Sequence, residues 1–308
     1  MPIHRLEELT WRQLDQLPRD RTAILLPISP LEEHGTHLPV GMDGFTAVAL
    51  AETCADEFVT RDPGRHAVLA PLVPLGTWTF DMVGSVKVRQ RVVRELASDL
   101  GESFARYGFR HIVVTNGHGA PGHIVALEEA CDRITRRYRS KGVQMVSPFG
   151  PMVSRYFEGQ YGAELAAETQ GELSAEQAAH LPDDIHAGMF ETSLLLHLKP
   201  HLVGPEYRTL PPVLMPKESL GLTSAQVAGQ GLGYLGYPAS ARASFGEAAV
   251  RLVRRELGEL LDRMVAGEDV SALVHSSYGR IPYFRTDFLR VLLGAALALV
   301  LAIWLFWR

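Results

Sequence analysis

Cysteine is scarce in this 308-residue chain: Cys54 and Cys131 are the only two, far apart in sequence. That excludes a disulfide framework and a thiolate zinc site, and it fits reduced thiols in a cytosolic domain. An excess of positive charge is also lacking. The net charge is −5 at pH 7 and no basic stripe runs along the chain, so nucleic acid is not an expected partner. Internal repeats and low-complexity tracts are absent. The N-terminus, MPIHRLEELTWRQLDQL, has neither the basic start nor the apolar centre of a signal peptide, and it reads as a short amphipathic helix.

Long charge-free apolar runs are missing too, with one exception. Residues 291–307, VLLGAALALVLAIWLFW, carry no charge over seventeen positions. As a helix at about 1.5 Å per residue they span roughly 25 Å, close to the bilayer hydrocarbon thickness of about 30 Å. Phe288 and Leu289 lengthen the run if Arg290 snorkels, and Trp304 and Trp307 suit the far interface. A buried core helix is the alternative. Arg280, Arg285 and Arg290 precede the run and Arg308 alone follows it. The positive-inside rule then leaves the large domain in the cytoplasm, on a single-pass C-terminal anchor of the cytoplasmic membrane. The expected organisation is a catalytic-type domain over residues 1–266, a linker over 267–287 and the anchor over 288–308.

What is present upstream is an alternation of strands and helices. Residues 22–28 (TAILLPI), 66–73, 110–115 and 143–147 read as buried strands. Residues 44–60, 89–107, 121–139 and 244–265 have helical apolar spacing. Short connections between such elements argue for an α/β fold, a parallel or mixed sheet with helices on both faces. Ligands of such sheets gather at the carboxyl ends of strands. Residues 163–180, rich in Ala, Glu and Gln, read as a helical lid or oligomer contact. Residues 203–233, rich in Pro and Gly, read as a long loop over the site or at an interface.

Three motifs carry chemistry. Residues 27–43, PISPLEEHGTHLPVGMD, place Glu32, His34, His37 and Asp43 just after a strand. Imidazole and carboxylate suit zinc, manganese or iron(II). In an extended segment Glu32 and His34 point the same way. Gly35, Pro39 and Gly41 bend the chain so that Asp43 can return, although Asp43 could instead cap the next helix. His37 is either a ligand or a group that orients one. The second motif, Asn116-Gly117-His118-Gly119, follows another strand. Its glycines would allow an unusual backbone and the close approach of a ligand. His123 reads as a surface residue of the next helix. The third motif is DIHAGMFETS, residues 184–193. His186 suits acid–base work because its unperturbed pKa is near neutrality. Glu191 is a ligand candidate or a helix-start carboxylate.

Together these motifs resemble the creatininase family of metal-dependent amidohydrolases. Glu32-Glu33-His34-Gly35-Thr36-His37-Leu38-Pro39 with Asp43 is similar to the family's E-x-H-G-x-H-L-P…D pattern. Asn116 to Gly119 resembles its N-G-H-G loop, and His186-Ala187-Gly188 with Glu191-Thr192-Ser193 its H-A-G-x-x-E-T-S block. A weaker likeness covers Gly236-Tyr237-Pro238 with Ala241. The resemblance implies a three-layer α/β/α creatininase-like fold with a mostly parallel central sheet. It implies two divalent metal ions (Zn, Mn or Fe) held by Glu32, His34, Asp43, His118 and Glu191, with Asp43 the bridge. His37, Trp78, Asn116 and Gly119 would orient ligands or bind substrate. The implied reaction is hydrolysis of an amide C–N bond in a small molecule or peptide, by a hydroxide generated at the ions, with His186 passing a proton to the leaving nitrogen. Homo-oligomers, often hexamers, are also implied.

The chain departs from creatinine hydrolases proper at Ala120, where they carry a glutamate. Ala120-Pro121 replaces a Gly-Asn pair, and Met82-Val83-Gly84-Ser85 stands for an H-P-G-T segment. These changes argue for a different substrate. Deformylases of formamides and peptidases that mature peptide-derived cofactors are the enzymatic alternatives. A membrane-bound scaffold with little turnover is the non-enzymatic one.

Overall fold

The computed structural model describes residues 2–169, 172–215 and 231–307. Its centre is β2 (Thr22–Ser29), buried at all eight positions. Neighbours are β1 (Ile3–Arg5), β3 (His66–Leu69), β5 (His111–Thr115) and β6 (Gln144–Val146), in the order β1-β3-β2-β5-β6. The short β4 (Val73–Pro74) pairs with the end of β2. Every strand pairing among the described residues is parallel.

Successive residues of a strand face opposite sides, so β2 feeds two cores. Ala23 and Leu25 face α2 (Met42–Thr60) and α9 (Ala243–Val265), joining Cys54, Phe58, Leu257 and Leu261. Ile24, Leu26 and Ile28 face α3 (Gln90–Ala105) and α4 (Pro121–Arg137), joining Val93, Leu127, Cys131 and Ile134. This is the three-layer α/β/α arrangement with a parallel central sheet. The two cysteines are free and buried on opposite faces of that sheet.

Among the described residues, the remaining α-helices of the body are α1 (Trp11–Asp15), α5 (Phe149–Phe157), α6 (Gly162–Glu168), α7 (Ala175–His180) and α8 (Met189–Leu198). Helix α8 packs on α9 at close range, because an added Cβ at Gly246 would stand 2.1 Å from the Ser193 carbonyl oxygen.

Two local expectations change. The N-terminal segment is not one helix. Ile3–Arg5 pairs with β3 at the sheet edge, and α1 begins only at Trp11, after the N-cap Thr10, whose side chain and Gln13 form a capping box. Edge pairing is a tertiary contact that local periodicity does not report. Residues 66–73 form two strands, separated around Pro71, which has no N–H to give to a ladder. Residues 163–180 hold α6 and α7, with residues 170–171 outside the described residues. For residues 203–233, the stretch 216–230 lies outside the described residues. The described ends form a 3₁₀ turn at Pro205–Thr209 and bridges from Val213 to Gly236 and from Leu235 to His186.

The C-terminal helix, Phe288–Phe306, is long and apolar enough to cross a membrane, and none of it is buried in the protein. It is therefore not a core helix. The stretch 267–287 before it packs closely along the body. Val270 and Val274 join a core cluster, and the Ser276 N–H donates to Glu128 at 2.7 Å. Gln90 donates to the Phe284 carbonyl at 2.7 Å, and Arg94 pairs with Asp287 at 2.7 Å.

Candidate metal centre

Two adjacent strand ends build the site. Pro27 of β2 is in register with Thr115 of β5, so the chain leaves both strands at the same edge of the sheet. The loops are stitched there. Ser29 donates to Asn116 Oδ1 at 3.0 Å, and the same oxygen accepts the His118 N–H at 2.9 Å. Asn116 Nδ2 donates to the His118 carbonyl at 2.7 Å, which fixes the turn. Gly117 and Gly119 have no positive φ. Gly117 is required for another reason: a Cβ there would be 2.3 Å from the Asp43 carbonyl oxygen. The glycine admits the start of α2. The third motif arrives on α8. Its leading N–H groups, at Met189 and Phe190, donate to the buried Asp184 at 2.7 Å each. Burial pushes the Asp184 carboxyl up to about 6 against these bonds.

Glu32, His34, Asp43, His118, His186 and Glu191 converge. Among the described residues, three sets of ligand-type atoms lie within 4.8 Å of one another: Glu32–Asp43–His118, His34–Asp43–Glu191 and Glu32–His34–His186. Asp43 is two-sided. Its Oδ1 is 3.2 Å from His34 Nε2, and its Oδ2 is 3.3 Å from His118 Nδ1. Glu32 Oε2 is 2.9 Å from His118 Nδ1, and Glu191 Oε2 is 3.6 Å from His34 Nε2.

The histidine tautomers follow from backbone carbonyls. His34 Nδ1–H donates to the Glu32 carbonyl at 3.1 Å. His118 Nε2–H donates to the Thr77 carbonyl at 3.1 Å. His186 Nε2–H donates to the Glu33 carbonyl at 2.8 Å. Each ring therefore turns its other nitrogen, with its lone pair, toward the carboxylates. Lone pairs facing anions repel unless a proton or a metal cation stands between them. Glu32 Oε2, His34 Nε2 and Asp43 Oδ2 are buried there with no hydrogen-bond partner. Burial opposes charge on His118, but Glu32 and Asp43 outweigh it and push its pKa up to about 10. His34 is raised in the same way against burial by Asp43 and Glu191. The cluster attracts positive charge, and imidazole with carboxylate is a donor set that divalent ions accept. An N–H committed to a carbonyl behind the ring is the usual support of a metal-ligating histidine.

Other candidates lie around this centre. His37 turns away, with Nε2 at 2.9 Å from Thr192 Oγ1, and burial lowers its pKa to about 4. Trp78 packs against the start of α4, donates to Gln90 at 3.1 Å, and meets Tyr283 and Phe284 edge-on. It does not line the cleft beside the cluster, whereas Gly119 does. Trp78 and Ala187 hold φ of 64° and 46°, an uncommon region for residues with a side chain and a mark of local strain. Ala187 uses that conformation to donate its N–H to Glu191 Oε2 at 2.5 Å.

A sequence profile described as creatinine amidohydrolase matches residues 7–261. The chain belongs to the creatininase family. It is an amidohydrolase of that metal-dependent group, and its fold agrees. Over 232 residues it is 30% identical to the mycofactocin precursor peptide peptidase of Mycolicibacterium smegmatis, covering 73% of this chain and 78% of that one. It is 26% identical over 199 residues to creatinine amidohydrolase of Pseudomonas putida, covering 64% and 72%. A crystal structure of creatinine amidohydrolase superposes with a TM-score of 0.65 at 21% identity, covering 84% of this chain and 96% of that one.

Some residues of this creatininase-family site escaped the sequence. His123 is fully buried, edge-on to His118 with ring centroids 5.2 Å apart. Burial, aided by His118, lowers its pKa to about 3, so it is a neutral wedge and not a surface residue. Its place at the start of α4, directly after the loop, was the available signal. Glu33 is buried, with Oε1 3.7 Å from His186 Nε2. An acid between two ligand-type residues carries no pattern of its own.

Proposed function

We propose that this creatininase-family chain hydrolyses an amide C–N bond with two divalent ions, tethered to a membrane by its C-terminal helix. Glu32, Asp43 and His118 would hold one ion, and His34, Asp43 and Glu191 the other. The observation that carries this is the two-sided Asp43, whose oxygens face different histidines in different trios. When bound, such ions act as Lewis acids and bring the pKa of water near neutrality. Relatives in the family support the metal choice: one solved structure is named creatininase Mn and another is of a Zn-Zn type.

The protein's own groups do the rest. Water adds to the carbonyl carbon, the C–N bond breaks, and the nitrogen leaves with a proton. His186 would move that proton at Nδ1, a reading supported by its Nε2–H being committed to the Glu33 carbonyl. His37, held neutral beside Thr192, supports the segment that carries His34. Asn116 fixes the His118 loop, and Gly119 leaves room at the cleft wall. Trp78 acts through its neighbour Thr77, whose carbonyl orients His118. The substrate class is a small amide or a peptide, as the names of the relatives suggest. A homo-oligomer is part of the same reading.

Metal analysis of the purified full-length protein tests the centre. Two transition-metal ions per chain are expected, and fewer than one tightly bound would overturn the dinuclear reading. The tether has its own test. Deleting residues 290–308 should move the protein to the soluble fraction, with the body on the cytoplasmic side in the intact protein. Continued membrane association of the truncated chain would count against it.

A further inference from the structure

A cleft of about 90 Å3 opens beside the cluster, and the proposed reaction does not account for its walls. One end is formed by His186, Glu191 and the loop glycines Gly117 and Gly119. Beyond them the lining is apolar: Phe149, Met152, Val153, Phe157, Phe190 and Leu194. Glu256 closes the far end, but Tyr161 and Arg155 already engage it. Among the described residues that line the cleft there is no lysine or arginine to pair with an anionic group.

Tyr156 stands in this wall. Its ring is buried between Phe190, at a centroid distance of 4.8 Å, and Phe157, at 5.4 Å. Its hydroxyl is buried with no hydrogen-bond partner. Buried hydroxyls are rarely left so, and an unpaired one beside a cleft points to an acceptor on whatever fills it. Burial, with Asp184 and Glu191 as negative neighbours, keeps the phenol protonated and a donor. They also disfavour a carboxylate there and leave a neutral carbonyl as the matching acceptor.

We propose that this cleft seats an apolar or aromatic group of the amide substrate, and that the Tyr156 hydroxyl donates a hydrogen bond to a neutral carbonyl on it. The inference rests on the amidohydrolase reading for the position of the scissile bond. Tyr156 is then a specificity-determining residue.

Binding to the full-length, metal-loaded protein tests it, with N-acetyl-phenylalaninamide, N-acetyl-glycinamide and N-acetyl-lysinamide as probes. The phenylalanine probe should bind on the order of tenfold tighter than the other two, the scale of one buried apolar side chain. Tyr156→Phe should weaken that probe by about three- to tenfold, with metal content unchanged. Val153→Trp, which fills the cleft, should abolish the preference. Equal affinity for all three probes would overturn the cleft assignment, and an unchanged Tyr156→Phe would overturn the role of the hydroxyl. The two readings fail separately. Apolar preference in binding without turnover of any amide would sink the amidohydrolase reading and keep the cleft. Turnover without side-chain preference would do the reverse.

Discussion

Asp43→Ala is expected to cost both ions and roughly a thousandfold in kcat/KM. The two trios share only Asp43, so one substitution removes a donor from each. The remaining imidazoles keep their backbone anchors at Glu32 and Thr77, so the pocket keeps its shape and loses its bridge. Lewis-acid stabilisation of the transition state is worth several kcal/mol, and each ~1.4 kcal/mol is a factor of ten. The measurement is metal content by mass spectrometry alongside turnover. Full occupancy in the Asp43→Ala protein would sink the bridging assignment. A second readout is thermal: metal-dependent stabilisation present in the parent should largely vanish in the variant, because binding to the folded state alone raises stability. Asp43 is held well below the usual carboxylate range against burial, chiefly by His34 and His118. It is thus an anion facing two rings across a wide pH range, as a bridging ligand must be.

His186→Gln should act differently. A general acid–base contributes about 10²–10⁴ in rate, so kcat should fall by that order while KM and metal content stay unchanged. The ring lies near the cluster, with centroids 4.3 Å from His34, yet its Nδ1 is 4.0 Å from Glu191 Oε2. Burial and His34 oppose its protonation, and Glu33, Glu32 and Glu191 together raise its pKa. Because Glu32–His34–His186 is also a geometrically possible metal trio, the metal readout decides. Loss of an ion in His186→Gln would make His186 a ligand and leave the proton step to another group. Retained metal with slow turnover assigns the proton to Nδ1.

Much of this architecture was legible because it is periodic. The unbroken apolar run at residues 22–28 became the central strand, and the helical spacing at residues 44–60 and 244–265 became α2 and α9. Boundaries moved by a residue or two, as helix ends do. The N-terminal strand was not legible, because Ile3–Arg5 is a strand only through its pairing with β3. The packing of residues 267–287 was hidden for the same reason. It depends on Glu128, Gln90 and Arg94, which are distant in sequence.

The site divides along a similar line. By itself the sequence determined which chemistry was available: carboxylates and imidazoles at strand ends, an apolar tail of membrane length, and no thiolate or basic alternative. Spacing of i and i+2 and the alternation of strand and helix carry that information locally. Only the tertiary structure decided the rest. It set the two faces of Asp43, which nitrogen of each histidine turns inward, the burial of His123, and the apolar cleft with Tyr156. The physical reason is that these depend on register. Once Pro27 pairs with Thr115, the loops after both strands share one edge, and backbone carbonyls of Glu32, Thr77 and Glu33 choose the tautomers.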